Sequence, residues 1–291
     1  MRITALFFGY LFACLVLAAL LTYPVMQSGW LEYEPQRVMG RLAQLFILLG
    51  LWPFLKLLKL ADRTSLGYGA QGRAFRRAIG LGWLQGIGIL IALALALVVL
   101  EIRVPDEDLE LWPFLAKKAL QALIGGLLIG VLEETFFRGA LYTAIRRRDG
   151  VASAVVWTAL LYSVVHFMKP GALPAEMPFD WVGSIHMFTH VFIDLFQWKH
   201  LDSMVALFTV GVFLALVRER TGHIGWCIGL HAGWVFVIQV SRRLTDGNPD
   251  AALAFLVGSY DGTIGWLAAA WIGLLSILYW GWPRRSLPHS A

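Results

Sequence analysis

The amino-acid sequence predicts an all-α integral membrane protein of about eight transmembrane helices, both termini cytoplasmic, folded as one polytopic domain over residues 1–291. Three observations predict it. The chain is 58% hydrophobic and 15% charged, too apolar for a soluble domain of this length. Its apolar residues gather into runs close to the ~20 residues that cross ~30 Å of hydrocarbon. Arginine and lysine concentrate on alternate connections, the mark of cytoplasmic loops.

The expected spans, in order, are about 4–26, 42–61, 78–100, 114–145, 151–168, 201–217, 223–241 and 263–282. The first follows a lone Arg2, as a signal peptide would, but "TYPVMQSGW" offers no small-x-small cleavage site, so it reads as a retained helix. Lys59 at the end of span two and Arg63, Arg73, Arg76 and Arg77 beyond it lead to span three, and Arg146, Arg147 and Arg148 follow span four. Arg218 and Arg220 follow span six, and Arg284 and Arg285 follow span eight, whereas an opposite loop holds the acidic "EIRVPDEDLE". Arg242 and Arg243 are the exception, on the outer side. The net charge of +5 thus belongs to the cytoplasmic loops, and nucleic acid is not an expected partner. Cys14 and Cys227 stand far apart in apolar segments and read as packing residues.

Between spans five and six, "KPGALPAEMP" leads into the aromatic segment "FDWVGSIHMFTHVFIDLFQW", an expected interfacial or re-entrant helix. Glycines recur at packing spacing at Gly82 and Gly86, Gly126 and Gly130, and Gly225, Gly229 and Gly233. Such small-xxx-small faces let membrane helices approach closely, so spans three, four and seven should meet there.

Span four interrupts its apolar run with "LEETFFRG" at 132–139. A charge at the centre of a membrane helix costs roughly 2.5–3.5 kcal/mol on insertion scales, so such groups face the interior and have partners. Residues four apart share a helix face, which pairs Glu134 with Arg138 and leaves Glu133, on the stripe of Phe137, without a local cation. The division makes Glu134 and Arg138 structural and frees Glu133 to act as a general base. A purely structural polar knot is the plainer alternative. His166 lies in "LLYSVVHFM" of span five, one turn after Tyr162, and His231 in "CIGLHAGWVF" of span seven. At ~1.5 Å per residue from the cytoplasmic ends, Glu133, His166 and His231 lie roughly 18, 22 and 10 Å deep. They are expected to share one cavity, reached from the cytoplasmic side.

These three segments resemble motifs of the CPBP family, the type II CAAX prenyl endopeptidases and bacteriocin-processing or Abi-like proteins. "EETFFR" fits its EExxxR motif, "YSVVH" its aromatic-xxx-His motif and "HAGWV" its third, in the family's order, within a motif-bearing core of about 114–241. The resemblance implies an intramembrane glutamic-type endopeptidase acting on a membrane-associated protein or peptide. Glu133 would activate water, His166 would orient it or shuttle the proton, and His231 would stabilise the oxyanion. Glu134 and Arg138 would hold the helix, and no metal or other cofactor would be needed. Tyr162 stands where the family often has phenylalanine, and Val235, four residues after His231, where it commonly has Asn or Asp. Losing an oxyanion donor can cost ~10²–10³ in turnover; Gln239 lies one turn further along the same stripe.

Other readings compete. An inactive scaffold or immunity-type protein of the same fold would use the cavity for binding, and Val235 favours it. Intramembrane Glu and His also build proton relays in transporters, although no internal repeat supports one here. His186, His190 and Asp194, at i, i+4 and i+8, could ligate a divalent metal. The core glutamate and histidines could do so too, but no HExxH accompanies them.

Overall fold

The structure is a computed structural model that describes residues 2–106, 114–258 and 260–283. Arg284, Arg285 and the last four residues of the acidic loop "EIRVPDEDLE" lie outside the described residues. The helices are α1 (Arg2–Gln27), α2 (Pro35–Leu57), α3 (Gly72–Val99), α4 (Phe114–Glu134), α5 (Tyr142–Phe167), α6 (Trp181–Ile193), α7 (Leu201–Thr221), α8 (Gly225–Leu244) and α9 (Trp266–Gly281). A π turn, Thr135–Leu141, joins α4 to α5.

Candidate membrane-crossing runs, by length and composition, are Arg2–Gln27, Pro35–Leu57, Gly72–Val99, Leu115–Phe167 and Trp198–Thr221. Leu115–Phe167, at 53 residues, is too long for one crossing. It breaks at Gly150, whose φ of 85° and ψ of 179° are not helical; positive φ is a conformation that glycine adopts without a Cβ clash. The break falls between the expected spans 114–145 and 151–168. α9, at 16 residues, is shorter than a typical crossing helix. α2 starts earlier than its apolar run because Pro35 opens it. Proline's fixed φ suits the first turn, and polar residues extend the helix without adding hydropathy.

α8 organises the bundle, packing against α3 on one side and α4 on another. The glycines explain the first contact. A Cβ on Gly86 would sit 2.5 Å from the Leu230 carbonyl oxygen, and one on Gly233 2.5 Å from that of Trp83. The second contact works similarly: a Cβ on Gly126 would lie 2.9 Å from the Ala232 carbonyl oxygen, and one on Gly130 3.1 Å from that of Ile228. The expected glycine-face meeting of these helices is therefore observed. α5 and α9 both pack on α7, and α1 on α2. A short antiparallel pair, β1 (Arg103–Pro105) with β2 (Thr245–Gly247), ties the end of α3 to the end of α8, with Val104 opposite Asp246.

α6 is capped by Asp180, whose carboxylate accepts from the Gly183 N–H at 2.9 Å. It runs antiparallel along α1. Trp181 packs on Tyr23 at 5.1 Å between ring centroids, and Phe192 on Phe12 at 5.9 Å. These contacts lay α6 along α1 between Phe12 and Tyr23.

If close backbone contact holds α3 to α8, Gly86→Ala should lower the thermal midpoint of the purified protein by an amount equivalent to about 1–3 kcal/mol, the usual cost of overpacking. Gly88→Ala, two residues away with nothing within 4 Å of an added Cβ, should be neutral; equal effects would sink the packing account.

Candidate active site

The ion pair read from the sequence is present and fully enclosed. Arg138 Nη1 donates to Glu134 Oε1 at 3.0 Å, and both side chains are 0% exposed. The second Arg138 amine, Nη2, reaches the Gly211 carbonyl at 3.4 Å, and its guanidinium lies 4.4 Å from the centre of the Tyr162 ring. The same Glu134 oxygen also lies 2.8 Å from His231 Nδ1. An ionised carboxylate only accepts, so this contact puts a proton on Nδ1 and turns Nε2 the other way. Glu134 thus orients a histidine as well as pairing with Arg138.

His166 is held by the same logic. Its Nδ1 lies 2.7 Å from the Tyr162 carbonyl oxygen, an acceptor, so Nδ1 is the donor and Nε2 points elsewhere. Both Nε2 atoms point to Glu133. His166 Nε2 is 3.7 Å and His231 Nε2 3.8 Å from Glu133 Oε2, beyond direct hydrogen bonding. That oxygen is buried with no hydrogen-bond partner. Glu133, His166 and His231 therefore converge from α4, α5 and α8, as expected, around a gap of molecular size.

The π turn begins immediately after the two glutamates, and single π turns inside α-helices frequently mark functional sites. Thr135 Oγ1 back-bonds to the Val131 carbonyl and meets the Tyr68 hydroxyl, each at 2.5 Å. Gly139, within the turn, passes so close to Leu66 that an added Cβ would sit 2.6 Å from its carbonyl oxygen.

A cavity of about 320 Å³ opens from this gap. Its walls come from the C-terminal halves of α3 and α5, the N-terminal halves of α7 and α9, α8 from His231 to Arg242, Ile129 and Glu133 of α4, and Tyr260 and Asp261 of the loop before α9. Those helix halves share one end of the bundle, away from the arginines at 146–148, 218 and 220. Exposure rises toward that end, from buried His231 through Val235 to exposed Gln239 and Arg242. The expected entry from the arginine-rich face is therefore not observed among the described residues. Depths counted from span ends carried no information about which loops stop short of the three side chains.

His186 and His190 stack on α6 with ring centroids 4.2 Å apart, and His190 Nδ1 lies 3.5 Å from Asp194 Oδ1. Among the described residues no cluster of three or more His, Cys, Asp or Glu side chains has the arrangement to hold a metal. Cys14 and Cys227 are both buried and free. Val235 and Gln239 line the cavity; Val235 brings no hydrogen-bonding side chain there. Sequence reasoning missed Tyr260 and Asp261. The turn-rich stretch "GSYDGTIG" signals a loop, but nothing in it signals a fold back over the site.

Residues 115–237, which hold all three motifs, match the family model of Rce1-like type II CAAX prenyl endopeptidases, so the resemblance read from the motifs is borne out. No curated protein and no solved structure matches the chain. The long apolar helices make this an integral membrane protein, and its residues 115–237 are similar to the CAAX-type endopeptidases.

Removing one member of the buried pair leaves the other uncompensated, at about 3–5 kcal/mol. Glu134→Gln and Arg138→Ala should therefore both strongly lower thermal stability in detergent, whereas Glu133→Gln, which breaks no hydrogen bond, should leave it near wild type. Equal loss in all three variants would make Glu133 part of a structural knot.

Proposed function

We propose that the protein is an intramembrane glutamic-type endopeptidase that hydrolyses a peptide bond of a membrane-associated substrate, in what would be a bacterial inner membrane. The observation that carries this reading is the Glu133 Oε2 atom, unpartnered and almost equidistant from two histidine Nε2 atoms. A water seated above these atoms at ~2.8 Å would reach all of them. Glu133 takes its proton, the oxygen attacks the scissile carbonyl carbon, and the carbonyl oxygen becomes an oxyanion. His166, fixed through Nδ1, keeps the water aimed and relays the proton to the leaving amine. His231 donates from Nε2 to the oxyanion when doubly protonated, and the Glu134 carboxylate at 2.8 Å from Nδ1 balances that charge. Every step uses groups on this chain, so the reading needs no metal.

Val235 favours a second reading, a non-catalytic protein of the same fold, because the side chain four residues after His231 carries no hydrogen-bonding group. In the hydrolase, His231 carries more of the oxyanion's charge. His231→Ala should then lower kcat far more than it raises KM, since the contact strengthens only as charge develops.

Glu133→Gln should abolish cleavage of membrane peptides by the purified protein while binding persists. Val235→Asn, close in volume, should be tolerated and should raise turnover. A chelator such as 1,10-phenanthroline should leave cleavage unchanged; inhibition reversed by added zinc would instead make the centre a metal site. A folded protein that cuts no membrane peptide, and gains nothing from Val235→Asn, would favour the scaffold.

Orientation is checked separately with reporter fusions. Fusions after Arg148 and Arg220 should score cytoplasmic, and those near Asp106 and Pro174 external. With that result the cavity mouth faces outward; the reverse result would turn it to the cytoplasm.

A further inference from the structure

His231, Val235, Ile238, Gln239 and Arg242 all line the cavity, and their spacing of four, three, one and three places them on one stripe of α8. The stripe starts at a buried histidine against the Glu133 gap and ends at an exposed arginine. Between them the wall is largely apolar, with Leu90 and Leu93 of α3 and Ile264, Ala268 and Ile272 opposite. Arg242 is the one arginine or lysine in this lining, and among the described residues it makes no hydrogen bond or ion pair. Beside it the Asp106 N–H donates to the Leu244 carbonyl at 3.1 Å, and the acidic stretch 107–110 lies outside the described residues. Asp261, across the mouth, accepts from the Thr263 and Ile264 N–H groups at 2.9 and 2.7 Å. Arg103 and Asp246 share this corner, and Arg103 is engaged by Thr245 and by the Gly262 carbonyl. Lys169 lies over the Tyr260 ring at 4.4 Å.

We infer that Arg242 is a specificity-determining residue that takes a carboxylate of the substrate, fixing an extended peptide in the cavity with its scissile bond at Glu133. The inference rests on the hydrolase reading above. Its ruler is the helix: eleven residues from His231 to Arg242 rise ~16 Å. Helical side chains lean toward the N-terminus, so the guanidinium reaches back along the stripe and shortens the span to roughly 10–16 Å. An extended chain covers ~3.3 Å per residue, placing the carboxylate about three to five residues from the cut bond. A guanidinium pairs with a carboxylate through two parallel N–H bonds, and the apolar wall suits the side chains between. The carboxylate can be a chain terminus or an Asp or Glu side chain; both present the same two oxygens.

The test uses the full chain in nanodiscs and three pools of internally quenched apolar decapeptides. One pool ends in a free carboxylate, one in an amide, and one in an amide with a single Glu at each position in turn. Wild type should cut the free-acid pool with KM about tenfold below that of the amide pool, the worth of one charge-assisted hydrogen bond. Arg242→Gln should erase that preference through KM, and Arg242→Lys should keep part of it. A Glu pool cut as well as the acid pool identifies the side chain as the source, and one cut like the amide pool identifies the terminus. Equal cutting of all three pools by wild type, or a preference that survives in Arg242→Gln, overturns the assignment. Fluorescence-anisotropy titration of the same pools onto Glu133→Gln, with and without Arg242→Gln, separates the two readings. If nothing is cut, the hydrolase reading fails, while loss of acid-selective binding with Arg242→Gln still supports the carboxylate site, and unchanged binding removes it.

Discussion

One carboxylate oxygen holds the centre of this protein together. Glu134 Oε1 accepts from Arg138 at 3.0 Å and from His231 at 2.8 Å, in surroundings that exclude water from both Glu134 and Arg138. A charge in that position is tolerable only when paired and hydrogen-bonded. Here the pairing also sets a tautomer, since an acceptor on Nδ1 decides what Nε2 can do. The Tyr162 carbonyl does the same for His166 without a charge. Two rings are thereby aimed at Glu133 by groups that do not themselves touch the gap.

α8 shows how such aim survives in a lipid-soluble bundle. Its Gly229 and Gly233 meet the backbone of α3, its Ile228 and Ala232 meet α4, and its His231 and Val235 face the cavity. Each face has a separate task, so α8 cannot turn to relieve one contact without spoiling another. Dispersion between close-packed backbones supplies the hold, because lipid offers helices no hydrophobic reason to associate. The β1–β2 pair closes the same helix against α3 at its far end.

The features legible in the sequence were those set within one helix or by bilayer thickness. Apolar runs gave the long helices, although at α2 they marked its apolar middle rather than its start at Pro35. The i, i+4 rule gave Glu134 with Arg138, and glycine spacing gave the meeting of α3, α4 and α8. The bond from Glu134 to His231 was not legible, since it depends on how α4 and α8 are rotated toward each other. Neither was the π turn, which no residue type in "TFFRGAL" dictates. The cavity's open end was misread for a related reason: it depends on where α5 stops and on how the loop with Tyr260 and Asp261 folds back, and hydropathy describes neither.

The enclosed pair also bears on biogenesis. Glu134 and Arg138 are four residues apart, so they can close on each other as soon as their own helix forms, before any other part of the site exists. His231 leaves the ribosome roughly a hundred residues later, about 5–20 s at ordinary synthesis rates. Through that interval α4 must stay in or beside the membrane with Glu133 and half of Glu134's bonding unfulfilled. A local ion pair lowers the cost of that wait, so the i, i+4 arrangement serves the unfinished chain as well as the finished one. The histidine can then dock onto a carboxylate that is already held in place.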